Sequence, residues 1–153
     1  MASIAKVAHV VLTVRDTREA IDWYTSALGM ELMAHDQGMD IAFLSFGTQD
    51  HDIAVIKAPE GSATGSPGLS HTALVIEGGE PELREIFGRV KRAGGKIDFT
   101  ADHGLSRSFY CLDPSGNRIE VFCQHLHGEE ARTYMRKHGA VLDPYELESV
   151  GSD

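Results

Sequence analysis

The chain is short of three things, and each shortage removes a class of protein. Cysteine occurs only twice in 153 residues. Cys111 and Cys123 both fall in expected strands of a chain long enough to bury a core without staples, so free thiols are expected rather than a disulfide. Positive charge is scarce as well. Against 23 Asp+Glu there are 14 Lys+Arg, a formal net charge of −9, which argues against nucleic acid or an anionic membrane as partner. Long hydrophobic runs are missing: none approaches the ~20 residues that span a bilayer. The opening MASIAKVAHV lacks the basic-then-apolar order of a secretion signal. One cytoplasmic, soluble domain is the expectation.

What is present reads as one pattern written twice. In the first copy, about residues 5–58, Ala5–Val14 is an apolar strand. Asp16 then caps a helix, with Glu19 placed to bond back as in a capping box. Ala20, Trp23, Tyr24, Ala27 and Leu28 recur at helical spacing, as core rather than as a stacking platform, and Gly29 ends the run. Three strands follow, Glu31–His35, Ile41–Phe46 and Asp52–Lys57, then a Pro/Gly/Ser-rich linker over Pro59–Gly68.

The second copy, about residues 68–124, repeats the order. Leu69–Glu77 is a strand, and Pro81 opens a helix carrying Leu83, Ile86, Phe87 and Val90, closed by Gly94-Gly95. Strands Lys96–Thr100, Ser108–Leu112 and Arg118–Cys123 follow, the last two joined by an Asp113-Pro114-Ser115-Gly116 turn. A third helix, about residues 128–138, has acids at its start and bases at its end. Residues 1–139 form the expected domain, and 140–153 a weakly ordered tail. The fold class is α+β.

Three polar residues stand on these apolar strands. His9 and His71 hold the same place in the two copies, 62 positions apart, and Glu120 lies in the last strand. One histidine on an apolar strand is more often a hydrogen-bonded core residue. Its repetition argues otherwise, as does a carboxylate that is costly to bury unpaired. Period-2 alternation leaves Ile119, Val121 and Cys123 on one face and Glu120 on the other. Two imidazoles and one carboxylate form the ligand set of non-haem Fe(II) oxygenases. A pseudo-twofold axis relating the copies would bring both imidazoles to one cleft. The same alignment sets Ala54 against Glu120, so the fourth symmetric position carries no donor. His35, His125, His127 and His138 lack such support and read as solvated.

The segment Asp102-His103-Gly104-Leu105-Ser106-Arg107-Ser108-Phe109-Tyr110 through Asp113-Pro114-Ser115-Gly116 to Glu120 resembles the signature of the extradiol ring-cleavage dioxygenases. That signature is a His, a short gap, an apolar residue before Tyr, an acidic-Pro-x-Gly turn, then the ligand Glu. Ala101 departs from it at a flanking position. The resemblance runs from about Ala5 to Gln124 and extends to the parent vicinal oxygen chelate superfamily, in its single-domain form. It implies two βαβββ modules forming a cup-shaped mixed sheet around a metal site, plus a C-terminal helix. His9, His71 and Glu120 would hold Fe(II), with Mn(II) as the alternative. His51 would act as acid–base near bound oxygen, although an insertion around Gly61–Gly65 loosens its alignment. His103 and Tyr110 would serve the substrate oxygens. The partners implied are a catechol-type substrate and O2, in aromatic compound degradation, with a homo-oligomer expected.

Three other functions compete. A glyoxalase-like isomerase or epimerase of the same superfamily generally uses four protein ligands, and Ala54 counts against it. An antibiotic-resistance thiol transferase uses His, His and Glu but has no need of the His103 and Tyr110 pair. A metal-free ligand-binding module would leave the ligand set unexplained.

Overall fold

The computed structural model describes residues 9–48, 51–62, 69–138 and 141–149. The expected strand residues 5–8, part of the linker (63–68) and the ends of the tail lie outside the described residues. The chain divides into two compact units, Met1–Pro67 and Gly68–Asp153.

The first unit runs β1 (Val10–Val14), α1 (Thr17–Leu28), β2 (Glu31–Asp36), β3 (Ile41–Ser45) and β4 (Ile53–Lys57). Its four-stranded sheet has the order β1-β4-β3-β2, with β1 parallel to β4 and the other pairs antiparallel. Asp16 caps α1 by accepting from the Glu19 N–H at 2.9 Å, and Gly29 closes it at φ 72°, a left-handed turn that glycine adopts without a Cβ penalty. The helix buries Ala20, Trp23, Tyr24, Ala27 and Leu28, the face expected from their spacing.

The second unit repeats the order as β5 (Thr72–Val75), α2 (Glu80–Arg92), β6 (Lys96–Asp102), β7 (Ser106–Leu112) and β8 (Arg118–Gln124), followed by α3 (Gly128–His138) and a short β9 (Asp143–Pro144). The sheet order is β5-β8-β7-β6-β9. The reciprocal half of the capping box expected at α1 occurs instead at α2, where the Glu82 carboxylate accepts from the Gly79 N–H at 2.8 Å. Leu83, Phe87 and Val90 of α2 are buried, each worth roughly 1.5–3 kcal/mol. Phe87 meets Phe109 of β7 edge-on at 5.3 Å, which identifies the helix-covered face of the sheet. Ile119, Val121 and Cys123 are fully buried. Alternation therefore turns Ser108, Tyr110 and Glu120 to the opposite face.

The duplication holds residue for residue. Val10 pairs with Ile53 and Val11 with Ala54. In the second unit Thr72 pairs with Ile119 and Ala73 with Glu120. Ala54 therefore occupies the register position of Glu120. Across the next strand Phe43 faces Ala54, and Tyr110 faces Glu120. Both sheets also break register at one place, between Leu32 and Ala34 and between Ile97 and Phe99. These irregularities make Met33 and Asp98 extra residues in their strands, and bulges of this kind re-aim the side chains beyond them. They bring Ala34 opposite Phe43 and Phe99 opposite Tyr110.

Three expectations need correction. β5 covers only Thr72–Val75, not Leu69–Glu77, because its ladder with β8, its one partner among the described residues, runs from Thr72 opposite Ile119 to Val75 opposite Phe122. The tail is not weakly ordered over 141–149. Asp143 and Pro144 pair with Asp102 and Ala101 of β6, the Thr100 hydroxyl donates to the Tyr145 carbonyl, and Leu147 is buried. His35 is not solvated: its side chain is 18% exposed, with Nε2 3.6 Å from Asp40. Trp23 and Tyr24 are core, and Cys111 and Cys123 are free buried thiols, as expected.

Candidate metal and acid–base site

The β7–β8 hairpin sets the geometry of the second unit's polar face. Its turn is held by Asp113, whose Oδ1 accepts from the N–H groups of Ser115 (2.9 Å) and Asn117 (2.7 Å) and whose Oδ2 accepts from the Asn117 side-chain amide at 2.8 Å. Gly116 takes φ 91°, a conformation that favours glycine. With the turn fixed, register alone places Tyr110 opposite Glu120. A one-residue slip would bury both against α2.

Glu120 is 8% exposed and does not stand alone. Ser108 Oγ donates to its Oε1 at 2.6 Å. His71 Nε2 lies 3.2 Å from Oε2, and His103 Nε2 lies 3.5 Å from Oε1. A buried carboxylate with a donor on each oxygen is tolerated where an isolated one would not be. Tyr110 Oη is 3.0 Å from His103 Nε2. Burial, joined by the neighbouring Glu120 charge, pushes the Tyr110 phenol well above its ordinary value, so it stays protonated at neutrality and donates. The other nitrogen of His103, Nδ1, is 2.6 Å from the Val141 carbonyl. Phe99 lies flat on Tyr110, with ring centroids 4.1 Å apart and planes 16° from parallel.

In the first unit His9 and His51 come together, ring centroids 4.3 Å apart, and His51 meets Phe43 edge-on at 5.2 Å. Ala54, the counterpart of Glu120, is buried and offers no donor. His71, His103, Tyr110 and Glu120 are thus gathered in the second unit, and His9 with His51 in the first. His125, His127 and His138 are exposed.

Within the second unit one pair of donors fits a metal. Donors in adjacent positions around an ion with bonds of about 2.1 Å stand about 3 Å apart. His71 Nε2 and Glu120 Oε2, at 3.2 Å, match that spacing, and imidazole with carboxylate suits Fe(II) or Mn(II). Among the described residues no group of three His, Cys, Asp or Glu is arranged to hold an ion, so the fit rests on this pair.

Sequence reasoning missed three contributors. Ser108 gave no signal, since a serine in a strand has many uses. Phe99 comes after a bulge that alternation does not reveal. The Val141 carbonyl is backbone, which no side-chain pattern reports.

The glyoxalase/bleomycin resistance protein/dioxygenase superfamily matches residues 6–121. The chain belongs to this superfamily. Over 139 residues it is 29% identical to biphenyl-2,3-diol 1,2-dioxygenase 2 of Rhodococcus globerulus, covering 88% of this chain and 72% of that protein. Over 140 residues it is 27% identical to a lactoylglutathione lyase of Neisseria meningitidis, covering 84% of this chain and 97% of the lyase. Among solved structures, the fosfomycin resistance protein FosX from Listeria monocytogenes superposes with a TM-score of 0.67 over 89% of this chain and 100% of its own, at 20% identity. That last likeness establishes the fold alone. No helix among the described residues is long and apolar enough to cross a membrane.

Proposed function

We propose that this chain is an extradiol dioxygenase, opening the ring of a catechol beside its two hydroxyls with both atoms of O2. One observation carries the reading: an imidazole and a phenol, His103 and Tyr110, in contact at 3.0 Å on the flank of a carboxylate whose far oxygen faces His71. Ring cleavage needs a ligand pair and a proton-handling pair side by side, and His71 with Glu120 and His103 with Tyr110 would serve as the two.

His71 and Glu120 would hold Fe(II), or Mn(II) in its place, and His9 is taken as the third ligand on its register equivalence to His71. The chemistry such an ion supplies is a template for the vicinal oxygens of a catechol and for O2, with a path for electrons between them. The chain's own residues do the rest. The His103 ring, its Nδ1 tied to a carbonyl, presents Nε2 as a base toward the substrate hydroxyls. Tyr110, whose O–H rests on His103 Nε2 before substrate binds, would turn it to a substrate oxygen gaining negative charge. Phe99, stacked on the buried Tyr110 and itself 37% exposed, would offer flat apolar surface to an aromatic ring. His51, whose ring meets that of His9, would act as a second acid–base group. Ala54 stands at the register position of Glu120 without a donor, so the chain would offer three protein ligands and leave room for catechol and O2.

The lyase reading shares the fold but wants a fourth protein donor, which Ala54 does not provide. The thiol-transferase reading leaves the His103–Tyr110 contact without a task.

Anaerobic addition of catechol, 2,3-dihydroxybiphenyl and 1,2-dihydroxynaphthalene to Fe(II)-loaded protein, then O2, tests the proposal. A yellow ring-fission product from one of them is expected. Colourless mixtures with all three, alongside turnover of a glutathione hemithioacetal, would move the assignment to the lyase class.

A further inference from the structure

The C-terminal segment beyond α3 does more than finish the sheet. A carbonyl oxygen has no proton to give, so at 2.6 Å the hydrogen between Val141 and His103 belongs to Nδ1. In the neutral ring Nε2 then carries the lone pair, and the Tyr110 O–H, 3.0 Å away, is its donor. The residues after Val141 are fastened four times over. Asp143 and Pro144 pair with β6, and the Thr100 hydroxyl donates to the Tyr145 carbonyl. The Arg107 guanidinium lies 4.9 Å from the Tyr145 ring centroid, and Leu147 is buried. Arg107 is itself anchored, to Asp102 at 2.9 Å and to Glu80. A segment so held fixes one backbone carbonyl in place, and the ring on that carbonyl inherits its orientation.

We infer that residues 141–147 form a positioning strap that sets the tautomer and ring orientation of His103. The catalytic value of the strap rests on the proton-transfer role proposed for that histidine; the tautomer does not. Partners of this kind, one bond removed from a reacting group, typically cost about tenfold or more when lost. Among the described residues the strap reaches Glu120 only through His103, whose Nε2 lies 3.5 Å from Oε1, and Glu120 keeps its Ser108 and His71 partners without it, so the ligand pair is expected to survive its loosening.

The test uses full-length, metal-free protein with isotope-labelled histidine, at a pH above the ordinary imidazole range. The His103 ring nitrogens are identified by their disappearance in His103→Gln. The parent is expected to show a slowly exchanging proton on Nδ1 and none on Nε2. The double variant Thr100→Val/Leu147→Ser, which loosens the strap, should show a rapidly exchanging average of both tautomers. After Fe(II) loading it should keep its metal and its KM for the catechol while kcat falls about tenfold. If the double variant does not fold, Thr100→Val alone is read the same way. A proton on Nε2 in the parent, or an unchanged His103 signature in the folded variant, overturns the inference. Absence of catechol cleavage with the Nδ1–H signature intact would count against the dioxygenase reading and leave the strap standing.

Discussion

The two units share a frame and differ in what hangs on it. At matched positions the first carries Ala34, Phe43 and Ala54 and the second Phe99, Tyr110 and Glu120. The helix-covered faces are alike: both are apolar and buried, because each exists to hold one helix on one sheet. The candidate site residues of the second unit lie on the other face, and most of the proposed chemistry belongs to that copy. A duplicated fold keeps its core twice because each copy must be stable, whereas a ligand or a base is needed only where substrate meets it. The first unit retains the His9–His51 pair and otherwise stays apolar at the equivalent places.

The contrast can be broken by turning one unit into the other. Glu120→Ala gives β8 the side chain of β4 and should have the largest effect. It removes the only anionic ligand proposed, so iron measured after dialysis should fall to background and turnover with it, while the fold survives. Stoichiometric iron in this variant would remove Glu120 from the ligand set. His103→Ala should keep its metal and lose about 10²- to 10⁴-fold in kcat; metal loss instead would make His103 a ligand. Tyr110→Phe copies Phe43 and deletes one hydroxyl without disturbing the stack on Phe99. A drop in kcat of about 10²-fold is expected, with unchanged thermal stability.

The reverse exchange, Ala54→Glu, buries a carboxylate beside Phe43. Metal-free protein should lose about 1–3 kcal/mol, read as a lower Tm. Added Fe(II) or Mn(II) should restore it by binding the folded state, and dioxygenase activity should fall because a position is filled. A Tm loss that metal does not repair would show that Ala54 faces away from any ion.

The smallest effect concerns acid stability. Hydrogen bonds from Arg84 and then Arg107 hold Glu80 below its usual range. Asp102, which burial pushes up, is brought below its own by Arg107 and the Gly104 N–H. A carboxylate with a lowered folded pKa stabilises fully above its unfolded value, about 4, and that contribution disappears as pH falls through the folded one. Arg107→Met should therefore move acid unfolding to higher pH, with a shift of a few tenths of a unit on the order expected for part-exposed pairs.

Most of the frame was legible in the sequence, because it is written in periodicity. The helices announce themselves through Ala20, Tyr24 and Leu28 or Leu83, Phe87 and Val90, and the repeat through His9 and His71. Glu120 was legible because charge in an apolar strand needs a reason. Contributions made by backbone, by bulges or by a single ordinary residue were not. β9 has two residues, one of them proline, and forms only because β6 has a free edge to pair with. Phe99 reaches Tyr110 only through the irregularity at Asp98, and its own alternation would not have placed it there. Ser108 becomes informative once the register puts it beside Glu120.

The most direct measurement is isotopic. Fe(II)-loaded protein is given the best catechol of the panel under labelled O2, and the product is weighed by mass spectrometry. Extradiol cleavage predicts a ring-opened product carrying both labelled atoms, and none in the Glu120→Ala variant. A product with no label, or an isomerised substrate of unchanged mass, would contradict it.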